Sequence, residues 1–222
     1  MAIAYDAVSV GFANPTTSLT FAHTCTGANL VLIVGIKEIS AAAESVTGVT
    51  YNGVAMTKIN ARRIGDNARW MSLWYLINPA TGANNVVVSL NPTSWVRAHG
   101  VSYTGCKQSG QPDASATHID GAGTADNSAL ASIADNCWHL FIVGNGGGTQ
   151  AAGTGTTLRG TASDSNIMDS NSAKTPAGSV TLQATYGSNT YWGDVIASLA
   201  PYVAAGGLSI PVAQHHYKMM RS

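Results

Sequence analysis

The chain from residue 49 to residue 90 reads VTYNGVAMTKINARRIGDNARWMSLWYLINPATGANNVVVSL, three apolar runs separated by turn residues. The same alternation continues from end to end, and it restricts the fold to strands joined by tight connections. Asn52-Gly53 is the sharpest local signal, because both central residues of a type I′ turn need φ > 0. It predicts a hairpin that returns through residues 54–59. RWMSLWYLIN (residues 69–78) predicts a strand whose alternate residues Trp70, Ser72, Trp74 and Leu76 share one face. NLVLIVGIK (residues 29–37) is apolar at nearly every position, the pattern of a strand covered on both faces. Asn14-Pro15-Thr16, Asn78-Pro79 and Asn91-Pro92 mark turns or strand ends. Residues 106–127 carry Gly110, Pro112, Gly121 and Gly123 and predict a long surface connection.

The second half echoes the first. GANLVLIVGIK is matched by DNCWHLFIVGNG, each an apolar strand after a polar turn. NPATGANNVVVSLNPTSWVRAHGVSYTG is matched by KTPAGSVTLQATYGSNTYWGDVIASLAP, each a turn, a Val-containing strand, a second turn, an aromatic residue and a long strand. Two similar sets of about four strands are expected. The resulting fold class is all-β, a two-sheet β-sandwich of jelly-roll type. Residues 1–205 form one domain in this reading, and residues 206–222 a C-terminal arm.

Composition narrows the function classes. Charged residues make up 10% of the chain, against roughly 25% in typical soluble domains. Eleven acidic and eleven basic side chains cancel. Nucleic-acid recognition needs clustered Lys and Arg, and only Arg62-Arg63 adjoin. No window approaches the roughly 18 uninterrupted apolar residues of a membrane span. MAIAYDAVSV lacks the basic region and apolar run of a signal peptide. Cys25, Cys106 and Cys137 are widely spaced and predict buried free thiols. No nucleic acid, membrane or cofactor is expected as a partner. A neutral, weakly charged surface suits a protein whose surface is covered by others.

Four landmarks occur in order: Gly27-Ala28-Asn29 before an apolar strand, VTYNGVAMT (residues 49–57), LINPATGANNVVVSL (residues 76–90) and SYTG (residues 102–105). This pattern resembles one met in tailed-phage structural proteins and phage-derived bacterial genes. The resemblance covers the first half closely and the second through the internal repeat. It implies a β-sandwich component of a virion, either a capsid decoration protein or a tail or fibre module, and it implies no catalytic residues. The expected location is the virion. The expected partners are the major capsid protein or other virion proteins, with self-association as a trimer or dimer.

Candidate chemistry is sparse. His23, His99 and His139 fall in strands, where hydrogen-bonded or outward-facing roles are expected; His118 falls in the predicted connection and is expected in solvent. GNGGGT (residues 144–149) lacks the Lys of a phosphate loop and predicts a hairpin tip. Asp113, Asp120 and Asp126 lack the spacing of a compact calcium loop. No G-x-S-x-G elbow exists, and no carboxylate pair stands out. The rival function is a glycan-binding adhesion module using Trp70 and Trp95 for stacking. The tail LSIPVAQHHYKMMRS supplies the partner-contacting residues Ile210, Pro211, Val212, His215, His216, Tyr217, Met219 and Met220. Its Pro blocks a central strand position, and its apolar residues favour docking on a neighbour.

Overall fold

The computed structural model describes residues 1–39, 43–64, 69–146 and 148–203. The chain is all-β, and its strands form two antiparallel sheets packed together. The first half supplies β1 (Ala4–Cys25), β2 (Val31–Ile39), β3 (Val46–Tyr51), β4 (Val54–Ala55), β5 (Thr57–Arg63), β6 (Arg69–Ile77) and β7 (Gly82–Thr104). They pair in the order β4-β3-β7-β2-β6-β5, with β1 on β7. The second half supplies β8 (Ala114–Ala131), β9 (Trp138–Asn145), β10 (Gln150–Ala152), β11 (Thr157–Ala162), β12 (Ser165–Asp169) and β13 (Ser179–Leu199). Their order is β10-β13-β9-β12-β11, with β8 on β13. Apart from β4, which has no counterpart, the two orders match strand for strand, so the echo in the sequence is an internal duplication of topology. A jelly roll interleaves strands from both halves in each sheet. Here each sheet draws all its strands from one half.

Each sheet folds over on itself. Residues 18–25 of β1 and 82–90 of β7 pair with each other beside β3, while the other ends of β1 and β7 pair beside β2. The register slips between Ala13 and Ser18, opposite the Pro92 region of β7. Pro15 and Pro92 have no N–H to give to a ladder, which allows the strands to bend there without lost bonds. The sequence reading took these prolines as strand ends; they are bends in continuous strands. β13 bends likewise between Thr185 and Trp192. Residues 106–127 were expected to be a surface connection, yet β8 begins at Ala114 and runs through most of them.

Three cores result, giving four layers of strands. Leu32, Val34, Ile36 and Trp74 face Val49, Tyr51, Val86 and Val88 inside the first half. Phe141, Val143, Met168, Leu182 and Tyr186 fill the second half. Between the halves lie Val31, Ile33, Met71, Leu73, Val101 and Tyr103 against Leu140, Ile142, Ile167, Val195 and Leu199. β2 and β9 are therefore covered on both faces, as their continuous apolar text predicted. Asn29 and Asn136, with φ of 52° and 61°, turn the chain into these two strands. All three cysteines are free and buried.

The Asn52-Gly53 hairpin is present, with φ of 49° and 77° and pairing of Tyr51 with Val54. A Cβ added at Gly53 would meet nothing within 4 Å. Gly53→Val is therefore expected to act through backbone strain alone and to destabilise by about 1 kcal/mol. Urea denaturation should show the loss with an unchanged m-value.

Candidate functional site

The chemistry-bearing side chains gather where the halves meet and where the long strands bend. Lys37 on β2 is fully buried and crosses into the second half. Its Nζ donates to the backbone carbonyls of Asn145 at 2.8 Å and Asp164 at 3.0 Å, and lies 2.6 Å from Asp164 Oδ2. Arg97 on β7 reaches the other oxygen, Oδ1, at 3.3 Å. Burial pulls the Lys37 ammonium down to about 7, against the upward pull of Asp164 and aided by the charges of Arg69 and Arg97. One carboxylate thus faces two cations, Lys37 and Arg97.

Glycines make room for this crossing. A cross-strand row Met71–Lys37–Arg97–Phe12 runs over the first half, and the equivalent row of the second half is Ser165–Gly144–Gly193–Ile119. A Cβ at Gly144 would lie 2.7 Å from Met71 Sδ and 3.0 Å from Lys37 Cδ. The long side chains of one row lie in the space vacated by the other. A second pin sits at the opposite side of the same core, where Tyr103 donates to Asp169 Oδ2 at 2.9 Å. Arg159 Nε approaches that oxygen to 2.7 Å, and its guanidinium stacks 4.3 Å over the Tyr5 ring. His99, on β7, contacts Ser165 of the second half at 3.1 Å through Nε2. Burial lowers its pKa to about 3, so the ring is neutral.

Two further clusters lie within single halves. Ser9 Oγ is 2.8 Å from His23 Nδ1, His23 Nε2 is 3.0 Å from Ser102 Oγ, and Ser102 donates to Asp6 Oδ2 at 2.6 Å. A serine–histidine contact of this length is the first requirement of an activated nucleophile. The carboxylate, however, bonds Ser102 and not the imidazole, and burial holds His23 at about 4 despite the nearby Asp6 charge. So weak a base does not activate a serine at neutral pH. The cluster is a polar relay across the strand bend. In the second half, His118 Nδ1 lies 3.2 Å from Asp194, whose other oxygen accepts from Ser128; Ser128 also bonds Asp126. The hydrogen bond to Asp194 raises the His118 pKa, and burial raises that of Asp194. His118 is thus paired on β8, not solvated in a connection.

The remaining sequence candidates are placed as follows. Trp70 and Trp74 do share a face, that of Glu38 and the first-half core. Trp95 pairs with Ile39, one register position away from the Glu38–Trp70 row, so it lies on the opposite face of the sheet. Trp70 is half-buried and Trp95 is 46% exposed. The two cannot form one stacking platform. Asp113 accepts from the backbone N–H groups of Ile133 and Ala134 at 2.7 and 3.2 Å, and Asp126 is buried, so neither is offered to calcium. The Asp120 side chain and residues Ile210, Pro211, Val212, His215, His216, Tyr217, Met219 and Met220 lie outside the described residues. Among the described residues no three His, Cys, Asp or Glu side chains converge on a metal position. Sequence reasoning missed Lys37, Asp164, Tyr103 and Asp169, whose partners are more than 60 residues away in sequence. A lysine inside an otherwise apolar strand was the available signal. No family model, curated protein or solved structure matches the chain.

Proposed function

We propose that this protein is a non-enzymatic structural component of a virion, bound to the outside of the capsid, with the major capsid protein as its partner. The observation that carries this reading is the use of its reactive groups. Lys37, His99, Tyr103, Asp164 and Asp169 hold one half against the other. A rigid, weakly charged body of four strand layers suits a protein that must stay folded on a particle surface. The resemblance of the four sequence landmarks to those of tailed-phage structural proteins points the same way. Self-association as a trimer or dimer adds avidity on a symmetric shell, since several weak contacts act together. Membership of a tail or fibre is the second form of this reading.

Quantitative mass spectrometry of gradient-purified particles, produced from the genome that encodes the chain, tests it. The protein should be present in many copies per particle, in constant ratio to the major capsid protein across preparations. Its absence from particles that carry the other head proteins overturns the reading.

A further inference from the structure

We propose that the cleft between β1 and the β11–β12 turn binds an acidic carbohydrate, with the sugar carboxylate on Arg97 and the apolar face of the ring on Phe12. The cleft has a volume of 410 Å³, and its lining includes Val10, Phe12, Asn14, Arg97, Thr161 and Ser163. That volume lies within the range of small-ligand sites. The wall is chemically mixed in the way a sugar requires. A pyranose ring presents an apolar C–H face that stacks on an aromatic ring, and a girdle of hydroxyls that needs donors and acceptors. Phe12 is 72% exposed, the largest exposure of any described aromatic residue. Trp95, two residues from Arg97, lies on the same face of the sheet. Asn14, Thr161 and Ser163 supply the amide and hydroxyl groups.

The charge selects an acid. The Arg97 side chain lines the cleft but is only 15% exposed, and its Nε faces Asp164 Oδ1 at 3.3 Å. Asp164 is shared with Lys37, and Arg69 adds a further positive charge nearby. Arg97 is the cation that lines the cleft, and a guanidinium pairs with a carboxylate through charge-assisted bonds. A purely apolar partner would cover Phe12 and desolvate the Asn14 amide without giving it a bond, which is unfavourable for a buried polar group.

The internal duplication serves as a control written into the chain. The equivalent row of the second half places Ile119 where the first has Phe12, and Gly193 where it has Arg97. The aromatic face and the cation are absent there together. One ligand per chain follows.

Isothermal titration calorimetry with a glucuronic acid oligosaccharide, and with the matched glucose oligosaccharide as control, tests the proposal. The acidic oligomer should bind at one site per chain and the glucose oligomer about tenfold more weakly or not at all. Phe12→Ala should weaken binding about tenfold with Tm unchanged, since the ring is exposed. Arg97→Lys keeps the charge, loses the planar guanidinium, and should also weaken binding. Equal affinity for both oligomers, or undiminished binding by Phe12→Ala, overturns the proposal. So does failure to bind the glucuronic acid oligomer together with failure on an array of acidic glycans. These outcomes are independent of particle composition, so the sugar site and the virion reading stand or fall separately.

Discussion

Replacing Asp164 by alanine is expected to destabilise the protein by about 2 kcal/mol at pH 7, because Arg97 loses its ion partner and Lys37, half-protonated at its folded pKa, must give up the rest of its proton to stay buried. The loss should shrink as pH rises, since the lysine can then shed its proton. The same lysine sets a pH dependence in the unaltered protein. Its pKa falls from 10.5 to about 7 on folding, so between those values the unfolded chain holds more protons than the folded one. Stability therefore rises with pH across that window. Lys37→Met should flatten the rise. The double variant Lys37→Met/Asp164→Ala should recover part of what Asp164→Ala loses, because Lys37 no longer lacks its partner while Arg97 still does. Urea denaturation at pH 7 and pH 9.5 measures all four proteins. An Asp164→Ala protein as stable as the parent at pH 7 would show that the crossing does not hold the halves.

Acid should open the fold through its buried histidines. His99 and His23 have folded pKa values of about 3 and 4, each lowered chiefly by burial from an ordinary 6.5. A group that binds protons more weakly when folded contributes stability above its unfolded pKa and loses it as pH falls through the folded value. Each imidazole should therefore remove roughly 1.4 kcal/mol per pH unit as pH drops from 6.5 towards 4. Asp6, whose carboxyl is held below its usual range by bonds from Ser102 and Thr26 that outweigh its partial burial, adds to the acid loss. Asp194 opposes it, because burial raises its pKa and favours the protonated fold. The net expectation is a cooperative loss of tertiary signal between pH 6 and pH 4, by near-ultraviolet circular dichroism. His99→Gln, which keeps a polar group opposite Ser165, should move the midpoint to lower pH. An unmoved midpoint would remove His99 from the account.

Much of this architecture was legible because local and global signals agree. β2, β6 and β9 are read from continuous apolar text, and the Asn52-Gly53 hairpin from its turn chemistry. The duplication was visible as matched turns and strands. β8 was not legible, since ASATHIDGAGTADNSALA has almost no apolar pattern. It is an edge strand held by pairing with β13, and its conformation is set by tertiary contact. Pro15 and Pro92 end strands in most sequences, and only a long folded-over ladder lets them mark bends. Of the Lys37–Asp164 and Tyr103–Asp169 contacts, the only local signature was a lysine inside an otherwise apolar strand. The aromatic cleft was half visible. Trp95 stood out by composition, but the aromatic that lines the cleft is Phe12, near the start of the chain.

Immunogold electron microscopy on intact particles, with antibody raised against the folded protein, tests the location most directly. The capsid-exterior reading predicts gold distributed evenly over the heads of intact particles. Label confined to tails, or particles that carry none, would contradict it.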